Sequence, residues 1–166
     1  MSDLYSELLV KRKPSLKDGL IRSALLGLTT AAVIMVLLSL LNPIILLVAL
    51  VLALVDYFVI PKLNVEFEYL HINDEIDVDK IFSKQKRKRV MNIDLNQVEM
   101  VAPLGSHHLD SYQNLKTIDY SANDREQRPY VLVTSKNNTQ VKVLLQLDQA
   151  MFQNIKRRMP RTAFDD

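Results

Sequence analysis

Five cations crowd six consecutive positions, Lys84, Lys86, Arg87, Lys88 and Arg89, with only Gln85 between them. Ammonium and guanidinium groups at this density attract anionic surfaces, and beside a bilayer each gains about 1 kcal/mol from anionic lipid. A plainer reading pairs some of them with Glu66, Glu68, Glu75, Asp77 and Asp79, because alternate residues of a strand face opposite sides and meet cross-strand neighbours. A second charged candidate, Asp56, lies inside a long apolar run. An acid in such a setting is a functional candidate. Tyr57, Phe58 and Pro61 follow it, which favours an anchor in an interfacial aromatic belt over an ion or proton site, since no second charge completes a relay.

The remaining polar words carry less chemistry. His107-His108 with Asp110 lacks a third or fourth ligand at suitable spacing, so no metal site is expected. Ser106 beside His107 pairs a nucleophile with a base only in sequence, and no G-x-S-x-G elbow is present. Three Gly in the whole chain leave no glycine-rich phosphate loop. Asp74, Glu75, Asp77 and Asp79 alternate with Ile76 and Val78, the pattern of a strand with a solvated acidic face rather than a calcium loop. The absence of Cys excludes disulfides and thiol chemistry. The reading is therefore non-enzymatic, with no cofactor. The long loop Leu104–Gln113, with His107, His108 and Tyr112, is a second candidate surface for a protein partner.

These residues sit on two very different halves. Of 166 residues, 48% are hydrophobic and 24% charged, yet Leu20–Pro61 carries only Arg22 and Asp56 as formal charges. Ser23–Val55 is an uncharged run of 33 residues. As one helix it would be roughly 50 Å long, against a hydrocarbon core of about 30 Å. Asn42-Pro43 divides it, because Pro lacks an N–H and suits the first turn of a new helix. The prediction is a transmembrane hairpin over 20–61, with helices near Leu20–Leu41 and Pro43–Ile60. Gly19, Gly27, Thr29, Thr30, Ala31 and Ala32 form a small-residue stripe that lets the second helix pack closely, or seats another copy in a homo-oligomer.

Lys11, Arg12, Lys13, Lys17 and Arg22 precede the first span, and Lys62 and the basic run follow the second. The positive-inside rule places both termini in the cytoplasm of a two-span cell-membrane protein. Within 1–19, Leu4, Tyr5, Leu8 and Leu9 recur at helical spacing up to Pro14, predicting a short amphipathic helix. Over 62–166 the alternating runs Val65–Ile72 and Glu75–Phe82 flank an Asn73-Asp74 turn. Further strands are expected at Val90–Leu95, Gln97–Ala102, Leu115–Tyr120, Tyr130–Ser135 and Gln140–Gln146, with a polar loop over Pro103–Asn114. Asp148 caps a final helix, Gln149–Arg158. The expected fold class is α+β: a helical hairpin followed by about seven antiparallel strands in a barrel or sandwich, closed by a C-terminal helix.

That order resembles a pleckstrin-homology (PH) domain. The words Leu9-Val-Lys-Arg-Lys-Pro14, Val65-Glu-Phe-Glu-Tyr69, Asp77-Val-Asp-Lys-Ile-Phe82, Lys86-Arg-Lys-Arg89, Ala102-Pro103, Ser106-His107 and Leu109-Asp-Ser-Tyr112 are similar to those of an uncharacterised family. Its members are small two-span membrane proteins of low-GC Gram-positive bacteria carrying a bacterial PH-like domain. The resemblance implies an architecture and no catalytic role. The expected function is a membrane-anchored module binding a protein partner or the anionic inner leaflet. An accessory subunit of a transporter or envelope-stress complex, acting through its spans and Asp56, is the alternative. A net charge of +2 points to no nucleic-acid partner.

Overall fold

The residues ahead of the first apolar run extend rather than coil. In the computed structural model, which describes residues 5–39, 42–124, 126–136 and 139–165, Tyr5–Lys11 forms a strand, β1. This corrects the expected amphipathic helix; Leu4 and Leu41 lie outside the described residues. Along β1, Tyr5, Glu7, Leu9 and Lys11 are exposed while Ser6, Leu8 and Val10 turn inward, a period of two. The spacing of Tyr5, Leu8 and Leu9 suits a short helix too, and a non-local partner decides between them. That partner is β2 (Val65–Ile72), antiparallel in the register Tyr5↔Ile72 to Lys11↔Glu66.

The chain divides into two units, one joining the residues up to Lys13 with those from Glu66 onward, the other holding Pro14–Val65. The second unit is a pair of helices, α1 (Leu16–Leu38) and α2 (Pro43–Leu63). Ser15 N donates to Asp18 Oδ2 at 2.9 Å to start α1, and Ile44 N donates to Asn42 Oδ1 at 3.0 Å to start α2, with Pro43 in its first turn. Both helices are long and apolar enough to cross a membrane. Their large side chains are mostly exposed, among them Leu16, Leu37, Leu38 and Ile44. On α1 the covered positions are Ala32 and Val36, with Leu25 and Thr29 half-buried, spaced as one helical seam. Gly19 and Gly27 are not on that seam, since a Cβ at either would meet nothing within 4 Å. Only part of the expected small-residue stripe therefore serves the helix pair.

The first unit stacks two four-stranded sheets. One has the order β1-β2-β3-β4, with β3 at Glu75–Phe82 and β4 at Lys86–Asp94. The other has the order β5-β7-β8-β6, with β5 at Met100–Pro103, β6 at Lys116–Asp119, β7 at Tyr130–Lys136 and β8 at Thr139–Leu145. Over 62–166 the described strands are β2–β8, seven as expected, and the eighth is β1; β6 runs parallel to β8, against the all-antiparallel expectation. Phe67, Tyr69, Ile76, Val78 and Ile93 from the first sheet and Val101, Leu132, Val143 and Leu145 from the second fill the core between them. α3 (Gln149–Arg158) adds Met151, Phe152 and Ile155, and Asp148 caps it by accepting from Met151 N at 2.7 Å. Its last turn is cationic, Lys156, Arg157 and Arg158, which suits the negative end of the helix dipole. Beyond it, Val101 N donates to Thr162 O and Phe164 N to Val101 O, both at 2.8 Å, so the chain end covers the free edge of β5.

Candidate functional site

The basic run belongs to the β3–β4 hairpin. Ser83 and Lys84 both adopt positive φ, 47° and 60°, and Gln85 N donates to Phe82 O at 3.1 Å. That is the turn whose twist matches a hairpin, made here without glycine. Its two left-handed non-glycine residues carry a conformational cost.

A bulge divides the charges. Val78 stands opposite Met91, but Asp79 stands opposite Arg89, so Val90 has no cross-strand partner in the register. Under strict alternation Met91 and Ile93 could enter the core only by drawing Arg89 and Arg87 onto the same side. The extra residue reverses the facing of the strand beyond it. Met91 and Ile93 are buried, while Arg87 and Arg89 lie with Asp79 on the outer face.

On that outer face the arginines are consumed by acids. Arg87 binds Glu68 and lies 3.7 Å from Asp79, while Arg89 Nη2 is 2.9 Å from Asp77 and its Nε 3.4 Å from Asp79. Glu68 and Asp79 are only 5% and 3% exposed, a depth at which an unpaired carboxylate would be costly. Burial pushes the Glu68 carboxyl above its ordinary range, against the pull of Arg87.

The lysines have a different fate. The register sets Lys80 opposite Lys88 and Phe82 opposite Lys86, so these four share the other face of the hairpin. Lys80 Nζ sits 4.9 Å from the Phe82 ring centroid. Burial first, and the charge of Arg12 second, lower the Lys80 pKa. Lys84, Lys86 and Lys88 are exposed, and among the described residues none makes an ion pair with an acid.

Asp56 turns toward α1 instead of lying free at a helix end. Thr29 Oγ1 is 2.6 Å from Asp56 Oδ2 and 3.0 Å from Leu25 O, so a single hydroxyl proton stands between two acceptors. Asp56 Oδ1 is buried with no hydrogen-bond partner among the described residues. Because α2 runs on to Leu63, Asp56 lies about two turns from its C-terminal end.

The expected polar loop is a 3₁₀ turn over His107–Tyr112. Ser106 caps it, its Oγ accepting from His108 N at 3.3 Å. The His108 ring stacks on Phe164 with centroids 3.7 Å apart, and Tyr112 packs against a buried cluster containing Ala102, Leu109 and Val131. Of the three candidates here, His107 is the exposed one. Among the described residues no three His, Asp or Glu side chains converge as a metal ion requires.

Two buried polar groups escape a reading by charge runs. His71, fully buried on β2, has Nε2 3.0 Å from Asn73 O and Nδ1 without a partner among the described residues. Tyr69, also fully buried, donates its hydroxyl to Tyr120 O at 2.6 Å and accepts from Gln146 N at 3.2 Å.

The model of the family described as a bacterial PH-like domain (DUF6106) matches residues 2–165. The chain belongs to that family. The match includes the strand ahead of the two apolar helices as well as the helices themselves, so the bacterial PH-like unit here carries its helical pair between β1 and β2. No curated protein and no solved structure matches the chain.

Proposed function

We propose that this protein is a membrane-anchored PH-like interaction module without catalytic activity. Its helical hairpin crosses the cell membrane, and its sheets stand on the cytoplasmic side to engage the anionic inner leaflet or a protein partner. The observation that carries the reading is the insertion of α1 and α2 between two paired strands, with their apolar side chains uncovered. Apolar surface left in water costs about 25 cal/mol per Å², so two such helices need a hydrocarbon environment. Because β1 and β2 pair along their length, the chain must leave and return on one side, as a two-span hairpin does. The cations flanking the helices favour the cytoplasm for that side.

The chain has no Cys, so single labels test the topology directly. In intact cells an impermeant maleimide should label Asn42→Cys, at the turn, and should reach Gln153→Cys, on α3, only after lysis. Labelling of Gln153→Cys in intact cells would overturn the orientation, and recovery of the unmodified chain in the soluble fraction would overturn the anchor.

A further inference from the structure

We propose that the lysine face of the β3–β4 hairpin, Lys84, Lys86 and Lys88 backed by Lys80 and Arg12, is a contact edge for anionic lipid headgroups of the bilayer that holds α1 and α2. The inference rests on the membrane reading above and adds which residues meet the lipid.

Connectivity supplies the first reason. β1 ends at Lys11 and α1 begins at Leu16, while α2 ends at Leu63 and β2 begins at Val65. At no more than about 3.6 Å per residue, the second connection reaches roughly 7 Å, which is inside a physiological Debye length of about 8 Å. The two-residue turn Asn73-Asp74 folds β3 back beside β2, so Phe82 and the Ser83–Gln85 tip lie at the edge where β2 begins. The sheet edge tethered to the helices is therefore the edge that carries the lysine tip.

Charge supplies the second. Arg87 and Arg89 are already matched by Glu68, Asp77 and Asp79, so they add little outward field. The lysines have no such match among the described residues; the register gathers Lys86 and Lys88 with Lys80 on one face, and Lys84 stands in the turn that joins the two strands. Lys80 is crowded there by burial and by the neighbouring Arg12 charge, and an incoming anion would relieve that crowding. Flexible point-charge ammonium groups suit a fluid layer of phosphates better than one stereospecific headgroup.

The test uses the full chain carrying a fluorophore at Gln85→Cys in nanodiscs of phosphatidylcholine, alone or mixed with phosphatidylglycerol, with a headgroup-attached quencher. Phosphatidylglycerol should increase quenching, and high salt should abolish the increase. Lys84→Gln/Lys86→Gln/Lys88→Gln should return quenching to the phosphatidylcholine level, whereas Lys116→Gln, on β6, should leave it intact. Quenching that ignores phosphatidylglycerol, or that survives the triple substitution, overturns the lysine edge, as would be found if an acidic protein were the true occupant. Failure of the chain to enter nanodiscs at all overturns the membrane reading itself.

Discussion

Lys11 on β1 stands directly opposite Glu66 on β2, with the entire helical pair between them in sequence. The two strand ends are already neighbours, so a short turn can join them. Replacing residues 14–64 by a glycine-containing loop should yield a water-soluble, monomeric β-sheet protein that unfolds cooperatively. A chain beginning at Val65 lacks β1 and should be markedly less stable and prone to associate through the bared edge of β2. Size-exclusion chromatography and thermal unfolding followed by circular dichroism compare the two; equal stability would show that β1 adds nothing to the sheet.

Tyr69 ties the sheets together, since its hydroxyl on β2 reaches Tyr120 O beyond β6 and Gln146 N beyond β8. Tyr69→Phe keeps the ring and leaves two backbone groups short of a partner. The expected cost is about 1–3 kcal/mol, read as a lower urea midpoint with unchanged slope.

The bulge assigns unequal weights to residues of one basic run. Arg87→Gln/Arg89→Gln leaves the buried Glu68 and Asp79 without counter-ions. Removing partners from fully buried pairs costs about 3–5 kcal/mol. Both guanidinium groups are about half exposed, so solvent screening should reduce the loss to about 1–3 kcal/mol. Lys88→Gln should stay within about 0.5 kcal/mol of the unmodified chain. Paired denaturation curves decide it, and similar losses from the arginine and lysine substitutions would contradict the division.

His71 and Glu68 contribute to pH dependence with opposite sign. Burial holds the His71 pKa below its ordinary 6.5, so its share of stability is present above pH 6.5 and lost as pH falls through the folded value. Glu68 is raised above 4.5, so its share is present below pH 4.5 and lost as pH rises through the folded value. His71→Gln should therefore lessen the loss of stability on acidification below neutrality, and Glu68→Gln should remove a penalty near neutrality. Urea midpoints across this range, each variant against the unmodified chain, test both signs.

Thr29 and Asp56 tie α1 to α2 by one side-chain hydrogen bond. Such bonds in a bilayer average about 0.6 kcal/mol and reach about 1.7. Thr29→Val and Asp56→Leu should each weaken the helix pair by that order and show no further loss when combined, whereas Asp56→Asn keeps an acceptor. A double-mutant cycle on helix separation in bicelles reads the coupling; additive losses would mean that the two side chains act independently.

Patterns closed within a few residues were legible in the sequence. Asn42-Pro43 marked the start of α2, and the alternation from Val65 and from Glu75 matched β2 and β3. Asp148 and the stripe through Ile155 matched α3. Features that depend on distant partners were not. β1 reads as a helix until β2 arrives to pair with it, and the parallel β6–β8 pair follows from packing rather than local period. The arginine–lysine division depends on Val90 falling out of register, which no charge count reveals. Buried His71 and Tyr69 look like ordinary strand residues until the second sheet covers them.

The place of the helical pair also sets how the sheet responds to force. α1 pulls on the Lys11 end of β1 and α2 on the Glu66 end of β2, the same end of an antiparallel pair. Lys13, between β1 and α1, is held by Lys13 N donating to Ala122 O at 2.7 Å and by its ion pair with Asp124. Drawing the helix bases apart therefore loads this clasp first and then the seven residue pairs one after another, from Lys11–Glu66 toward Tyr5–Ile72. Unzipping needs far less tension than shearing all seven at once, so the Lys13 clasp is what shields β1 from being peeled when the two helices move apart.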